Sequence, residues 1–197
     1  MNTLGNCRYL TSPLMDAEAY AGWVTAAELQ RAESFGSAHR RAEYLTWRAL
    51  VRQHYGRELE FAYNDLGAPC IVQHPHLYLS VTHDADAVAV LVSEHRCGID
   101  MERKERRFQA IRTKYLTDEE AALSTHPHFL AIAWCAKEAL YKYAGEQGLR
   151  FKEDLRLLSF APERAEGQLQ AKIKDGEPLR LTVCEEANRV VVYLIAD

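Results

Sequence analysis

The chain has 197 residues, a formal net charge of -4, 48% hydrophobic residues and 26% charged residues. This is ordinary globular composition, with length enough for a sizeable core in one large domain or two small ones. It excludes a nucleic-acid binder held by bulk positive charge, and no apolar run approaches the ~20 residues of a membrane-spanning helix. The N-terminus carries no signal-peptide pattern. Five cysteines, Cys7, Cys70, Cys97, Cys135 and Cys184, are scattered without a Cys-x-x-Cys pair. Neither a disulfide framework nor a zinc site is expected, and the cytoplasm is the expected compartment.

The first elements read as a short strand near residues 7–10 and a helix opened by the capping box Thr25-Ala-Ala-Glu28. Gly36-Ser37 breaks that helix, and a longer one spans residues 38–55, with apolar positions Leu45, Ala49 and Val51 at helical spacing and Gly56 as its stop. Arg40 and Arg41 fall in its first turn, where cations oppose the helix dipole. Either they are ordinary solvated arginines or a phosphate relieves them there, since helix N-termini bind anions. Asn64-Asp65-Leu66-Gly67-Ala68-Pro69 reads as a turn between strands. Residues 77–82 and 87–93 read as two more strands, joined by His83-Asp84-Ala85-Asp86, so His83 lies at a strand end. The His74/His76 and His126/His128 pairs lack a partner at metal-ligand spacing.

Cys97-Gly98-Ile99-Asp100-Met101-Glu102 has the alternation of a short strand with Asp100 and Glu102 on one face. Two carboxylates so placed repel unless a cation lies between them, and Mg2+ takes such oxygen ligands. The alternative is a solvated strand face. A basic run, Arg103-Lys104-Glu105-Arg106-Arg107-Phe108, follows it, and Thr117-Asp-Glu-Glu120 is a second capping box. A long apolar helix is expected to start at Pro127 and run to Ala144. It sets Trp134, Glu138 and Lys142 in line on one face. A carboxylate on a largely buried helix needs a partner, which for Glu138 is either Lys142 or a cation shared with Asp100 and Glu102. Lys137, 100° round the helix, points away from that row. Strands at residues 154–160, 167–174, 179–185 and 189–195, with turns at 162–167, 175–176 and 187–188, complete an α+β chain.

Gly98-Ile99-Asp100-Met101-Glu102 and Trp134-Cys-Ala-Lys137-Glu138-Ala-Leu-Tyr-Lys142 resemble the two signature motifs of the 4'-phosphopantetheinyl transferases, and Leu79-Ser80-Val81-Thr82-His83 resembles that family's Ser/Thr-His strand end. Length and the N-terminal half resemble the larger, surfactin-synthetase-activating, pseudo-dimeric type. The resemblance implies two similar lobes related by a pseudo-twofold, each with antiparallel strands packed against a long helix. The N-terminal lobe (1–97) would contact the nucleotide phosphates and the C-terminal lobe (98–197) would carry the metal-binding motifs and the carrier docking surface. It implies Mg2+-dependent transfer of 4'-phosphopantetheine from coenzyme A to a serine of an apo acyl or peptidyl carrier protein, with 3',5'-ADP released. Asp100, Glu102 and Glu138 would hold Mg2+, and Lys142 would contact phosphate. The base is left open between Glu138 and a metal-bound water. Arg40, and more weakly Arg31, would meet the 3'-phosphate, and Thr82 and His83 coenzyme A phosphate. Where the family carries a cation after the glycine of its Gly-Lys-Pro or Gly-Arg-Pro turn, this chain has Ala68, which puts one phosphate contact on Arg31 or Arg40 instead. Arg103, Arg106 and Arg107, with Phe108 as an apolar anchor, would dock the acidic carrier. Two fused lobes make a monomer sufficient. Two further classes fit the same residues: another Mg2+-dependent phosphate-ester enzyme, such as a phosphodiesterase, and a non-catalytic carrier-binding module.

Overall fold

The computed structural model describes residues 2–4, 7–162 and 166–196, and the chain divides into two units, Met1–Glu94 and His95–Asp197. The first contains strands β1 (Asn2–Leu4) and β2 (Cys7–Pro13), helices α1 (Ala17–Tyr20), α2 (Ala26–Glu33) and α3 (Ala38–Tyr55), the β3 (Phe61–Tyr63) and β4 (Pro69–Ile71) hairpin, then β5 (Tyr78–His83) and β6 (Ala87–Ser93). Strands β1, β2, β6 and β5 lie in that order in an antiparallel four-stranded sheet. Val88, Val90 and Val92 share one face of β6, as period-two alternation requires, and meet Trp47, Leu50 and Val51 of α3 in one core.

Local chemistry sets these helix ends. The Thr25 hydroxyl accepts from the Glu28 amide while the Glu28 carboxylate accepts from the Thr25 amide. Glu28 also receives both terminal nitrogens of buried Arg52, at 2.7 and 2.9 Å, with Arg48 Nε 3.3 Å away. Helix α3 begins at Ser37, whose hydroxyl accepts from the Arg40 amide, and stops at Gly56, φ 122°.

The second unit contains β7 (Cys97–Arg103), a 3-10 turn (Phe108–Ile111), α4 (Arg112–Tyr115), α5 (Asp118–Ala121), α6 (Phe129–Ala144), β8 (Leu155–Ala161), β9 (Glu166–Ile173), β10 (Leu179–Glu185) and β11 (Arg189–Ile195). Its five-stranded antiparallel sheet runs β7-β11-β10-β9-β8. Helix α6 lies on it, with Ile132, Ala136 and Leu140 packed into a core that holds Leu155, Leu169, Leu181, Val190 and Val192. The helix begins at Phe129 rather than Pro127, and Gly145 ends it in the left-handed conformation. Part of the turn expected at 162–167 lies outside the described residues. Antiparallel sheets with packed helices make this a mixed fold of helices and antiparallel strands, within the α+β class expected from the sequence. Among the described residues, no helix is long and apolar enough to cross a membrane.

Candidate active site

Gly98 decides how closely α6 approaches β7. A β-carbon there would stand 2.1 Å from the Ala139 carbonyl oxygen and 2.9 Å from the Tyr143 nitrogen. The absence of a side chain lets the strand lie against the helix backbone. Ile99 and Met101 are buried, and Asp100 and Glu102 alternate with them. The Lys142 ammonium donates to Asp100 Oδ1 at 2.8 Å and to the Ile99 carbonyl at 2.9 Å. The Trp134 indole hydrogen-bonds Glu102, and the Arg106 guanidinium pairs with the same carboxylate.

Glu138 joins the cluster electrostatically. Burial, and then the Asp100 charge, raise its pKa. Burial and the Asp100 charge likewise push Glu102 up to about 7, with Arg106 opposing and Glu138 adding to the rise. The Asp100 charge thus adds to burial in raising the proton affinity of both glutamates, while Arg106 and Lys142 offset the rise in part. Burial and the neighbouring Asp100 and Glu102 carboxylates push the Cys135 thiol up. An all-oxygen donor set of surplus negative charge suits a hard divalent ion. Among the described residues, no three His, Cys, Asp or Glu side chains already converge as a metal-holding group. Lys142 and Arg106 instead stand on the carboxylate oxygens.

The basic run behaves differently from its sequence reading. Phe108 is 3% exposed and belongs to the core, its ring 6.4 Å from that of Trp134, so it cannot serve as the exposed apolar anchor. The 3-10 turn that begins at Phe108 carries the ring inward, where burial outweighs the charged neighbours. Arg106 belongs to the acidic cluster. Arg103 pairs with Glu105 at 3.5 Å, and Arg107 is exposed.

Beside Trp134 lies a pocket of about 490 Å³ lined by Ile111, Lys114, Tyr115, Trp134, Arg150, Phe151 and Glu153. Tyr115 and Phe151 flank the indole at ring distances of 5.1 and 5.8 Å. Phe151 is held from behind, because its carbonyl accepts from the Lys137 ammonium at 2.8 Å. Lys137 is 0% exposed and also reaches both oxygens of Glu120, at 2.8 and 2.9 Å. This buried pair has no counterpart in the sequence reading.

In the first unit, Glu43 is buried and gathers three basic side chains. His39 Nε2 lies 2.9 Å and His83 Nδ1 3.0 Å from its Oε1, while Arg40 Nη1 donates to Oε2 at 2.8 Å. Arg40 Nη1 is also 3.1 Å from His83 Nε2. A pocket of about 160 Å³ opens here, with Tyr44, Trp47, Tyr63, Pro69 and Val81 as walls beside Arg40 and His83. Arg48 stiffens the aromatic wall. Its guanidinium lies 3.5 Å from the Tyr44 ring centroid and donates to the Tyr63 hydroxyl at 2.9 Å. Thr82 is 3% exposed, whereas His83 is half-exposed. Arg31 lies over the Phe35 ring at 5.5 Å, and Phe35 packs edge-on against Tyr44, one ring removed from the pocket.

Asp100, Glu102 and Glu138 thus share one electrostatic neighbourhood, and Trp134, which hydrogen-bonds Glu102, also lines an aromatic pocket. Residues 96–194 match the family model described as the 4'-phosphopantetheinyl transferase superfamily. The match covers half of the chain, including β7 and α6, and the protein belongs to that superfamily. Transfer of phosphopantetheine is thus its general activity. Comparison with curated proteins gave no match.

Proposed function

We propose that the protein is a Mg2+-dependent 4'-phosphopantetheinyl transferase of the larger, pseudo-dimeric type. It moves the phosphopantetheine of coenzyme A to a serine of an apo acyl or peptidyl carrier protein and releases 3',5'-ADP. The observation that carries this reading is the carboxylate cluster. Asp100, Glu102 and Glu138 share one electrostatic neighbourhood with less positive charge than they need. These three would hold Mg2+, which when bound offsets charge on the diphosphate.

Glu138 is the group to take the proton of the attacking serine hydroxyl. Its place in the cluster, beside Asp100 and one helical turn before Lys142, supports that role. Lys142 sits one turn on and holds Asp100 in the resting protein, and its charge is placed to stabilise negative charge on the leaving phosphate. The pocket walled by Tyr115, Trp134 and Phe151 offers apolar surface and room for the pantetheine arm. Residues 1–97 supply the nucleotide contacts. Arg40 and His83 stand side by side at the rim of an aromatic pocket, and Arg31 and Thr82 lie further from it. Residues 98–197 supply the metal-binding side chains and the carrier docking surface, with Arg103 and Arg107 as its basic rim. The protein works as a cytoplasmic monomer.

The test is intact-mass spectrometry of an apo carrier protein incubated with coenzyme A, Mg2+ and this protein. A transferase adds the phosphopantetheine mass, a phosphodiesterase consumes coenzyme A without that gain, and a binding module does neither. Glu138→Ala should abolish the gain while the circular dichroism spectrum stays native. Full activity in that variant would remove the site assignment.

A further inference from the structure

Arg106 is placed as few arginines in a solvated loop are. It pairs with Glu102, and its guanidinium lies 5.2 Å from the Trp134 ring centroid and 5.4 Å from that of Phe108. Its backbone is pinned on both sides, with its amide donating to the Arg103 carbonyl at 3.2 Å and its carbonyl accepting from the Phe108 amide at 2.8 Å. Its side chain is 46% exposed against 15% for Glu102. The acid is thus sheltered while the base that covers it faces outward.

We propose that Arg106 is a displaceable counter-ion. It neutralises Glu102 in the resting protein, yields that carboxylate to the incoming divalent cation, and then binds the phosphate that enters with it. The proposal rests on the magnesium reading of Asp100, Glu102 and Glu138. Two cations compete poorly for one sheltered carboxylate, because each repels the other at short range in a medium less polar than water. The arginine displaced from Glu102 keeps its aromatic shelf, since cation–π attraction to Trp134 and Phe108 does not depend on the carboxylate. It therefore stays at the rim of the cluster, where its planar fork of N–H donors matches a phosphate group.

The arrangement has a signature of opposite signs. With Arg106→Gln, Mg2+ alone, titrated by calorimetry without coenzyme A, should bind about three- to tenfold more tightly, the scale of a partly exposed ion pair. Coenzyme A at saturating Mg2+ should bind about tenfold more weakly, the loss of one charge-assisted phosphate contact. Arg106→Lys keeps the charge without the fork, and should return Mg2+ affinity to the wild-type value and coenzyme A affinity only in part. Unchanged or weaker Mg2+ binding in Arg106→Gln overturns the counter-ion role, and unchanged coenzyme A affinity overturns the transfer to phosphate. Glu102→Gln separates this from the reading beneath it. If Glu102→Gln weakens Mg2+ binding while Arg106→Gln does not alter it, only the arginine proposal fails. If Glu102→Gln binds Mg2+ as well as wild type, the metal site itself is wrong and the proposal falls with it.

Discussion

Helix α6 carries two lysines five residues apart whose surroundings are opposite in kind. Lys137 is sealed from solvent and donates to both Glu120 oxygens and to the Phe151 carbonyl. Glu120 in turn accepts the Thr117 amide at 2.9 Å and the Leu157 amide at 2.8 Å. Charge and hydrogen bonds balance there, and the pair ties α5, α6, β8 and the Phe151 segment together. Lys142 faces a cluster where Asp100, Glu102 and Glu138 outnumber it and Arg106. Balanced burial fixes structure, whereas surplus charge leaves something for a ligand to supply. The largest test of that contrast is Lys137→Met. It strands the Glu120 charge in the core and should cost about 3–5 kcal/mol in denaturant unfolding. Lys142→Met takes a partly exposed cation from the buried Asp100 and should cost less, about 1–2 kcal/mol, while transfer is lost. Replacing Lys137 and Glu120 together by apolar residues should recover only part of the loss: the stranded charge is gone, but the Leu157 amide and the Phe151 carbonyl lose their partners. Equal stability losses for the two lysines would break the contrast.

A smaller effect reads the surplus charge directly. In the folded protein Glu102 is raised from 4.5 to about 7, and Glu138 is raised as well. Between those values the folded state binds more protons than the unfolded one, so stability falls as pH rises through this window. The metal-free protein should lose on the order of 1–3 kcal/mol between pH 5 and pH 7.5, several degrees of melting temperature. Mg2+ should restore the loss above pH 7, and Glu102→Gln should flatten the profile. A metal-free melting temperature that climbs with pH over this range would mean that the carboxylates are already compensated.

The same contrast explains what the sequence made legible. Helix ends were readable because their signals are local: Thr25 with Glu28, Thr117 with Glu120, and Gly56. Asp100 and Glu102 were readable as one strand face, and Trp134, Glu138 and Lys142 as one helix row, because both patterns follow from backbone period. The Lys137–Glu120 pair was not. It spans 17 residues between two elements, and Glu120 already had a local task in its capping box. Gly98 gave no warning either, since its meaning depends on the Ala139 carbonyl packed opposite. Phe108 misled because its neighbours in sequence are charged while its neighbours in space are Trp134 and the core of α6. Arg106 misled in the same way, for its partner lies four residues back, on a strand rather than a helix.

The smallest expected effect concerns the part of the basic run left at the surface. With Phe108 buried and Arg106 held at Glu102, the exposed basic residue of that run outside the cluster is Arg107, since Arg103 is engaged by Glu105 and Lys104 by Glu185. A rim charge acts on encounter more than on the formed complex, and salt screens it. Arg107→Glu should therefore weaken carrier-protein affinity by about three- to tenfold at low salt, chiefly through a slower association rate. The difference should shrink as salt is raised, and coenzyme A affinity should stay unchanged. Altering Arg106 and Arg107 together would confuse two roles, because Arg106→Glu adds a fourth carboxylate to a cluster already short of cations. Surface plasmon resonance on the single variant separates them. If Arg107→Glu binds the carrier as tightly as wild type across salt concentrations, the segment after β7 serves as a wall of the acidic cluster, and the carrier must be met by another face of the protein.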